Sequence, residues 1–472
     1  MKPIAAEVLA QWAGGELVAG EASVFVGPDV VTDSRQPTPG AVFVAIPGER
    51  VDGHDYVAAA GAAGAGAALV SRRVDADVPQ VLVDDTVEGL SSLARHVVAD
   101  AKAHGLVVVG VTGSSGKTST KDLIAQVLVT AGPTVAPVGS FNNEIGAPLT
   151  ACKVDAATRF LVSEMGARGL GHVAWLCGIT PPTIGAVINV GHAHLGEFGT
   201  QEVIAQAKGE LVEALDADGW AVLNADDPRV AAMASRTPAR IASFSVAGEP
   251  GAGDLRVWAT DVAADDLQRY SFTLSAAGAV VGRAPVSLRV LGEHNVSNAL
   301  AAASVALCAG LSLDAVATAL SAAINRSKWR MQLDQRADGL AILNDSYNAN
   351  PDSMAAALAS VVRLRRPGGR VVAVVGDMLE LGTGAVEAHR EVGRLAADAG
   401  VDELVAVGGH GPDLVAGFAA SGRPARYWAD KFEAAAELAP RLGALDVVLV
   451  KASRGIGLET VAERLLTEGA GR

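Results

Sequence analysis

Near its first quarter the chain reads Gly110-Val111-Thr112-Gly113-Ser114-Ser115-Gly116-Lys117-Thr118-Ser119. The apolar run 106–109 before it predicts a buried strand, and residues 121–128 after it have the spacing of an amphipathic helix. A strand, a glycine-rich turn and a helix in this order direct backbone N–H groups and a helix N-terminus at an anion. In such a loop Lys117 would reach the outer phosphates of a nucleotide, and the Thr118 hydroxyl would be a ligand of Mg²⁺.

The loop departs from the common G-x-x-x-x-G-K-[ST] pattern. Val111 stands where that pattern has its first glycine, and Gly110 comes one residue too early. The alternative is a plain Gly/Ser-rich turn without a ligand, but a Lys-Thr pair directly after the last glycine adds chemistry that a plain turn does not need. We therefore expect a variant phosphate loop, formed by Gly113, Ser114, Ser115, Gly116, Lys117, Thr118 and Ser119.

Length and composition indicate a multidomain α/β protein. The chain has 472 residues, which is too many for one hydrophobic core. At about 100–200 residues per domain, this length suggests about three domains. Half of the residues are hydrophobic while only 4% are aromatic, which favours an Ala/Val/Leu-rich α/β fold. Cys152, Cys177 and Cys308 are too few and too far apart for a disulfide framework or a zinc site, so we expect small core residues.

The charge balance excludes some partners. The net charge is −14 and no basic stripe occurs, which argues against nucleic acid, so an anionic substrate would need a local cationic pocket. No apolar run reaches membrane-spanning length, and the start of the chain lacks a signal-peptide pattern. We expect a cytoplasmic protein without a membrane partner.

The order of predicted elements divides the chain into three parts. Residues 1–104 mix short strands and helices into a small α/β domain, and residues 105–327 form a P-loop mononucleotide-binding domain. Residues 328–472 resume the alternation of strands and helices as a Rossmann-like domain. No G-x-G-x-x-G follows a strand there, which argues against a nicotinamide cofactor.

Several polar residues fall at strand ends, where ligand crevices of parallel sheets lie. Glu164 ends the apolar strand 159–165 and is a candidate second Mg²⁺ ligand, the alternative being a solvated carboxylate. His192 and His194 lie in the loop after the strand 183–190 and are either ligands or inert. Ser34 and Arg35 end a strand in the first domain, where an exposed turn is the simpler interpretation.

Two predicted helices carry further candidates. On the helix 200–216, Lys208 lies at the flank of an apolar stripe, and periodicity alone favours a lysine whose stem covers the core edge while its charge stays in water. Asn295 and Asn298 share a face at the first turn of a long helix that ends near Leu307. Their amides could contact a purine edge, and helix capping is the competing explanation.

Together these motifs resemble the Mur ligase family of ATP-dependent amide ligases over the whole chain and in its three-domain order. The resemblance rests on three further strings: Ser140-Phe141-Asn142-Asn143-Glu144-Ile145-Gly146-Ala147-Pro148-Leu149-Thr150, Glu164-Met165-Gly166-Ala167-Arg168 and Asn344-Asp345-Ser346-Tyr347-Asn348-Ala349-Asn350-Pro351. Within that family the strings resemble the ligase that joins D-alanyl-D-alanine to UDP-N-acetylmuramoyl-tripeptide, so the resemblance implies this reaction through an acyl phosphate. The relatives that add diaminopimelate carry an Asp-Asn-Pro-Arg string, and this sequence has no such string. A monomer is expected.

The resemblance implies catalytic and nucleotide-binding roles. Lys117, Lys208, His194 and Arg330 would be catalytic. Residues 113–119 would hold the ATP phosphates, Arg330 the γ-phosphate, Asp345 the ribose, and Asn295 with Asn298 the adenine. Thr118 and Glu164 would bind one Mg²⁺ and His194 a second, with Lys208 carbamylated to an anion that helps to place it.

The resemblance also implies substrate contacts. Ser34 and Arg35 match a UDP-contacting turn, and Asn142, Asn143 and Arg168 would line the channel for the muramoyl peptide. Asn348, Asn350, Lys451, Ser453 and Arg454 would lie near the peptide and the incoming dipeptide. Neither the third peptide residue nor the general base can be read from the sequence.

The alternatives are another Mur-type amide ligase and, from a different class, a P-loop regulatory ATPase. The irregular loop spacing, the Glu rather than Asp at position 164 and the lack of an Asn-Lys-x-Asp motif weigh against the regulatory ATPase.

Overall fold

The computed structural model describes residues 1–35, 37–48, 51–191, 198 and 200–467. Within these ranges three large sheets follow one another along the chain, each packed against helices. The apolar core of the first sheet continues onto the second, because one buried cluster includes both Val44 and Val108. The predicted three-domain α/β architecture is confirmed. None of the helices in these ranges is both long and apolar enough to cross a membrane.

The first sheet has five strands, and its last helix leads into the central domain. In spatial order its strands are Glu16–Ala19, Gln80–Leu82, Ala67–Val70, Val42–Val44 and Val30–Val31. A separate two-stranded ladder joins Ile4–Ala5 to Phe25–Val26. The helices are Ala6–Ala13, Val57–Ala62 and Thr86–Lys102. The first helix begins at Ala6, because Ile4 and Ala5 before it pair as a strand.

The second sheet has nine strands and carries the phosphate loop. In spatial order they are Gly282–Leu291, Arg269–Gly278, Leu255–Ala264, Arg240–Ser245, Trp220–Asn224, Ile184–Val187, Val107–Thr112, Phe160–Glu164 and Thr134–Val135. The first three strands pair antiparallel with one another, and the remaining pairs are parallel. Its helices are Lys117–Leu128, Gly146–Ala151, His172–Ile179, Gln201–Glu213, Pro228–Ala231, His294–Cys308 and Leu313–Ala322.

The third sheet has six strands and is parallel except at one edge. In spatial order they are Gln332–Gln335, Ala341–Asn344, Val447–Lys451, Val371–Gly376, Glu403–Val407 and Ala425–Trp428. The helices are Pro351–Arg363, Ala385–Ala399, Gly411–Phe418, Lys431–Leu438 and Glu459–Thr467. The strand Val447–Lys451 lies between the strands that end at Asn344 and Gly376, so the loops after all three meet at one edge of the sheet.

Candidate functional site

The phosphate loop has the predicted strand–turn–helix form. The strand ends at Thr112, and the helix begins at Lys117, four residues before the apolar pattern starts. Gly116 is the residue before the helix and has a φ of 78°, in the left-handed region that favours glycine. A Cβ there would also lie 2.8 Å from Asn298 Oδ1. Glycine is therefore required both by the turn and by its neighbour.

Lys117 lies over the loop that it follows. Its Nζ donates to the Gly113 carbonyl at 2.8 Å. Removal of water around the amine lowers the pKa of Lys117, while Glu164 opposes this shift and Arg330 adds to it. A lysine held in this way needs only a small movement to meet an anion on the loop.

Asn189 fixes the loop and was missed by the sequence analysis. Its Oδ1 accepts hydrogen bonds from the backbone N–H groups of Ser114 at 2.9 Å and Ser115 at 3.0 Å. Its Nδ2 donates to the Ser115 carbonyl at 3.1 Å. Asn189 follows the strand Ile184–Val187, which pairs directly with the phosphate-loop strand. An amide just beyond a neighbouring buried strand was the signal available in the sequence.

Glu164 is buried at the carboxyl end of its strand, beside the phosphate loop, so a freely solvated carboxylate is excluded. Its Oε1 accepts from Asn142 Nδ2 at 2.8 Å, whereas its buried Oε2 has no hydrogen-bond partner among the described residues. The Thr118 hydroxyl lies 2.8 Å from Ser140 Oγ. Because a buried oxygen without a partner is costly, Oε2 is suited to a cation.

Ser140, which was not among the residues predicted for the site, joins the phosphate loop to Arg330. Arg330 Nη2 donates to Ser140 Oγ at 2.9 Å, and the guanidinium lies 4.2 Å from the centre of the Tyr347 ring. Arg330 lies in the segment that connects the second sheet to the third. The hydroxyl of Ser140 therefore contacts a predicted metal ligand on one side and a predicted phosphate cation on the other.

The backbone around Arg330 is strained. Trp329 and Met331 have φ values of 59° and 46°, a region that non-glycine residues rarely adopt. The Trp329 carbonyl accepts from Tyr347 N–H at 3.1 Å, and Met331 N–H donates to Asp345 Oδ1 at 3.0 Å. Both flanking residues are thus held by the third domain, which fixes the direction of the arginine.

Lys208 corrects the interpretation drawn from periodicity. Lys208 is only 3% exposed, so its amine does not reach water as the amine of a lysine at the edge of a core would. Burial lowers the pKa of its amine well below the usual lysine value, and the nearby Lys117 lowers it further. The helix buries Ile204, Ala207, Leu211 and Val212 on the same side. The apolar stripe in the sequence does not show whether Lys208 lies at the edge of the buried face or in its middle.

The two asparagines of the long helix are buried and hydrogen-bonded within the protein. Asn295 Nδ2 donates to the Leu291 carbonyl at 2.7 Å, and Asn298 Nδ2 donates to Asn295 Oδ1 at 2.8 Å. Neither caps the helix, so the capping alternative is wrong. Asn298 lines a second pocket of about 270 Å³ beside the phosphate loop, with His294, Asn189 and Asp345.

Asp345 and Lys451 meet at the edge of the third sheet. Lys451 Nζ donates to Asp345 Oδ2 at 2.6 Å and to the Asn348 carbonyl at 2.8 Å. Lys451 is buried, and Asp345 reaches the connecting segment through its other oxygen. The pair arises because the strands ending at Asn344 and Lys451 are neighbours.

Beside the phosphate loop lies a cleft of about 270 Å³ between the second and third domains. Asn142, Asn143, Arg168, Asn348 and Asn350 line it, as does Lys451. Several of these side chains also have structural partners. Asn143 Oδ1 accepts from Gly146 N–H at 2.9 Å, and Asn350 Oδ1 caps the helix Pro351–Arg363.

The remaining predicted substrate residues lie elsewhere. Ser453 is buried and accepts from Leu379 N–H at 2.9 Å, and Arg454 pairs with Glu459 while stacking on Trp329. Ser34 is half-buried, and Arg35 is exposed in an ion pair with Asp33. The turn 33–35 contributes no residue to the cleft lining found among the described residues. His192 and His194 lie outside the described residues.

The three domains match known families in order along the chain. Residues 29–98 match the Mur ligase family catalytic domain, 111–306 the Mur ligase middle domain, and 329–454 the Mur ligase glutamate ligase domain. A Mycobacterium bovis protein, UDP-N-acetylmuramoyl-tripeptide–D-alanyl-D-alanine ligase, is 45% identical over 92% of this chain and 91% of its own. The chain belongs to the Mur ligase family.

Solved structures of Mur ligases are similar to this chain over nearly its whole length. MurF from Acinetobacter baumannii is 31% identical with a TM-score of 0.87, covering 99% of this chain and 100% of its own. MurF from Thermotoga maritima, solved in complex with ADP, is 30% identical with a TM-score of 0.76, covering 93% of this chain and 97% of its own. Mur ligases are ATP-dependent enzymes, and this chain is a ligase of that kind.

Proposed function

We propose that this chain joins D-alanyl-D-alanine to UDP-N-acetylmuramoyl-tripeptide in peptidoglycan precursor synthesis, with ATP converted to ADP and phosphate. The observation that carries the proposal is the match, over more than nine-tenths of the chain, to a relative named for that reaction. The cleft between a phosphate loop and a cation-bearing third domain supports the reaction class. A carboxylate activated as an acyl phosphate would be captured there by the dipeptide amine.

The main physical difficulty of this reaction is repulsion between anions. Two like charges about 4 Å apart repel by ~4 kcal/mol at an effective dielectric near 20. Lys117, Arg330 and the N-terminus of the helix Lys117–Leu128 supply positive charge or partial charge on the side of the cleft where ATP phosphates would lie. These groups would offset the repulsion and stabilise charge as the phosphoryl group moves.

Thr118 and Glu164 are proposed as Mg²⁺ ligands. The unpartnered buried Oε2 of Glu164 fits a hard cation. No cluster of three His, Cys, Asp or Glu side chains suited to a metal occurs among the described residues, so phosphate oxygens and water would complete the coordination. When bound, Mg²⁺ would neutralise developing charge on the phosphates. Binding of a second ion by His194 stays a prediction.

Lys208 is proposed to be carbamylated. Its lowered pKa favours the neutral amine, which can attack CO₂ to form an N-carboxylate and release a proton. The product is an anion, which the positive charge of the nearby Lys117 would attract. Formation of the carbamate would therefore turn a neutral buried amine into a negative group stabilised by Lys117.

The remaining predicted contacts define where each substrate would bind. Asp345, Asn295 and Asn298 are proposed for the ribose and adenine, supported by the position of Asp345 and Asn298 at the second pocket. Ser34 and Arg35 are proposed for UDP, which requires the nucleotide sugar to extend from the first domain toward the cleft. The substrate contacts proposed in and beside the cleft are Asn142, Asn143, Arg168, Asn348, Asn350, Lys451, Ser453 and Arg454.

We further propose domain boundaries near 104/105 and 327/328, a monomer in the cytoplasm, and closure of the third domain when ligands bind.

The function is tested by measuring phosphate release and pentapeptide formation with purified protein, ATP, Mg²⁺ and UDP-muramoyl-tripeptide, with and without D-alanyl-D-alanine. Phosphate release that depends on the dipeptide, together with a pentapeptide product, is expected. Release that ignores the dipeptide would indicate a regulatory ATPase. Parallel assays with meso-diaminopimelate or L-lysine as the third residue identify the natural acceptor.

A further inference from the structure

A small recess adjoins the second pocket, where adenine and ribose are proposed to bind. Its volume is about 20 Å³, and it shares Ser119, His294, Arg330 and Met331 with the lining of that pocket. A group of the size of a water molecule needs about 10–15 Å³, so the recess holds one such group and excludes a purine ring. A base in the second pocket can therefore place one exocyclic substituent in the recess.

One face of the phosphate-loop helix forms a wall of the recess. Ser119, Asp122 and Leu123 line it, and their spacing of three and four residues places them on the same face of the helix Lys117–Leu128. The rest of the lining includes apolar residues such as Val290. The carboxylate of Asp122 thus belongs to a small, partly apolar space, where hydrogen bonds are electrostatically stronger than in water.

Asp122 has one oxygen in use and one without a partner. Its Oδ1 accepts from Lys121 Nζ at 2.5 Å, and the buried Lys121 also donates to the Pro137 carbonyl at 2.8 Å. Its Oδ2 is buried and has no hydrogen-bond partner among the described residues, and Asp122 as a whole is only 8% exposed. Because a buried carboxylate oxygen without a partner is costly, Oδ2 is suited to a ligand that donates a hydrogen bond.

The two asparagines proposed for adenine have used part of their capacity within the protein. Asn295 Oδ1 accepts from Asn298 Nδ2 at 2.8 Å, and Asn298 Oδ1 accepts from Thr120 Oγ1 at 3.1 Å. Asp122 is the only carboxylate among the described residues that line the recess. An ionised carboxylate accepts hydrogen bonds and donates none, so it favours an amino group and disfavours a carbonyl oxygen.

We propose that Asp122 is a specificity-determining residue for the nucleotide, because its Oδ2 accepts a hydrogen bond from the 6-amino group of adenine. This role rests on the adenine site proposed above. The base lies in the second pocket, and its amino group enters the recess. Guanine and hypoxanthine carry an oxygen at the same ring position, and that oxygen would face the carboxylate without a proton between them. Asp122 therefore favours ATP over GTP and ITP.

The test compares diphosphates that differ only at position 6 of the purine. ADP, inosine diphosphate and purine riboside diphosphate, which has hydrogen in place of the amino group, are titrated calorimetrically into the full chain with Mg²⁺. Wild type should bind ADP about 10- to 150-fold more tightly than purine riboside diphosphate, which is the contribution of a hydrogen bond to a charged group. Inosine diphosphate should bind more weakly still.

Asp122→Asn should reduce the preference for ADP over inosine diphosphate by about tenfold or more, because the amide can turn its NH₂ group toward the 6-oxygen. Asp314→Asn removes an exposed carboxylate in the first turn of the helix Leu313–Ala322 and is the matched control, which should keep the wild-type preference. Loss of the ion pair with Lys121 lowers stability, but the ratio of two affinities measured on one preparation does not depend on the folded fraction.

Two outcomes would overturn the role of Asp122. Wild-type binding of purine riboside diphosphate within about threefold of ADP would show that the recess holds water and not the amino group. An unchanged preference for ADP over inosine diphosphate in Asp122→Asn would assign the selection to another group. Binding of ADP needs neither the peptide acceptor nor the dipeptide, so a chain that shows the expected preferences but forms no pentapeptide would refute the proposed ligase function alone.

Discussion

Ser140→Ala should weaken ATP use while leaving the fold intact. The substitution removes a hydroxyl that lies 2.8 Å from Thr118 Oγ1 and accepts from Arg330 Nη2 at 2.9 Å. A hydrogen bond to a charged group contributes about 1.5–3 kcal/mol. Since each ~1.36 kcal/mol is tenfold in rate, loss of the Arg330 contact alone predicts a fall in kcat/KM for ATP of about 10- to 150-fold. Ser140 is only half-buried, so the alanine leaves little cavity.

The assay is initial-rate kinetics with ATP varied and both other substrates saturating, beside a thermal unfolding measurement. Ser271→Ala is the matched control, because Ser271 also hydrogen-bonds through its hydroxyl, at 3.0 Å to Ser287, but on an exposed hairpin. A double-mutant cycle with Arg330→Met adds a second test. If Ser140 acts by orienting the arginine, Ser140→Ala should cost less than about threefold further once Arg330 is gone.

A value of kcat/KM for Ser140→Ala within about threefold of wild type would refute this reasoning, because the bridge would then contribute less than one ordinary hydrogen bond. Fully additive effects of Ser140→Ala and Arg330→Met would show that the two residues act separately.

Three further predictions concern the phosphate loop and the buried Lys208. Asn189→Ala should raise KM for ATP about tenfold, since Ser115 N–H loses its acceptor and Ser114 N–H keeps only the main-chain carbonyl of residue 189, and isothermal titration with ADP checks it against wild type. Gly116→Ala should lower both nucleotide affinity and unfolding temperature, because an alanine in the left-handed conformation costs about 1–2 kcal/mol and its Cβ would meet Asn298. An unchanged unfolding temperature would contradict this expectation. Lys208→Met should abolish most turnover yet stabilise the fold in CO₂-free buffer. The unfolded lysine binds a proton that the folded one does not, so wild-type stability rises with pH toward the usual lysine pKa, and the advantage of the variant should shrink as pH rises.

Local chemistry made much of the site predictable. The phosphate loop, the strand ending in Glu164 and the helix bearing Asn295 and Asn298 each depend on short patterns whose physical meaning is nearly independent of context. The same patterns gave the α/β class and the three-part order. Boundaries were less accurate, because the helix at Lys117 begins with polar residues that the apolar periodicity does not register.

Properties that depend on tertiary packing could not be read in this way. Lys208 looked like a core-edge lysine because periodicity reports which side of a helix is apolar, not how much protein covers its edge. The contacts of Ser140 and Asn189 arise between elements far apart in sequence, and neither residue type suggests its partner. Likewise, the pairing of Asp345 with Lys451 requires the strand order of the third sheet.

The geometry around Arg330 couples the third domain to the phosphate loop. Both neighbours of the arginine are held by the third domain, through Tyr347 N–H and the Asp345 carboxylate, and the guanidinium stacks on Tyr347. Its direction is therefore set by that domain, while its hydrogen bond to Ser140 is made to the second. Any rotation that opens the cleft would withdraw this cation from the phosphate loop. In the closure proposed above, charge stabilisation and movement of the third domain would be one event, and ATP would meet its full set of cations only when the third-domain side of the cleft faces it.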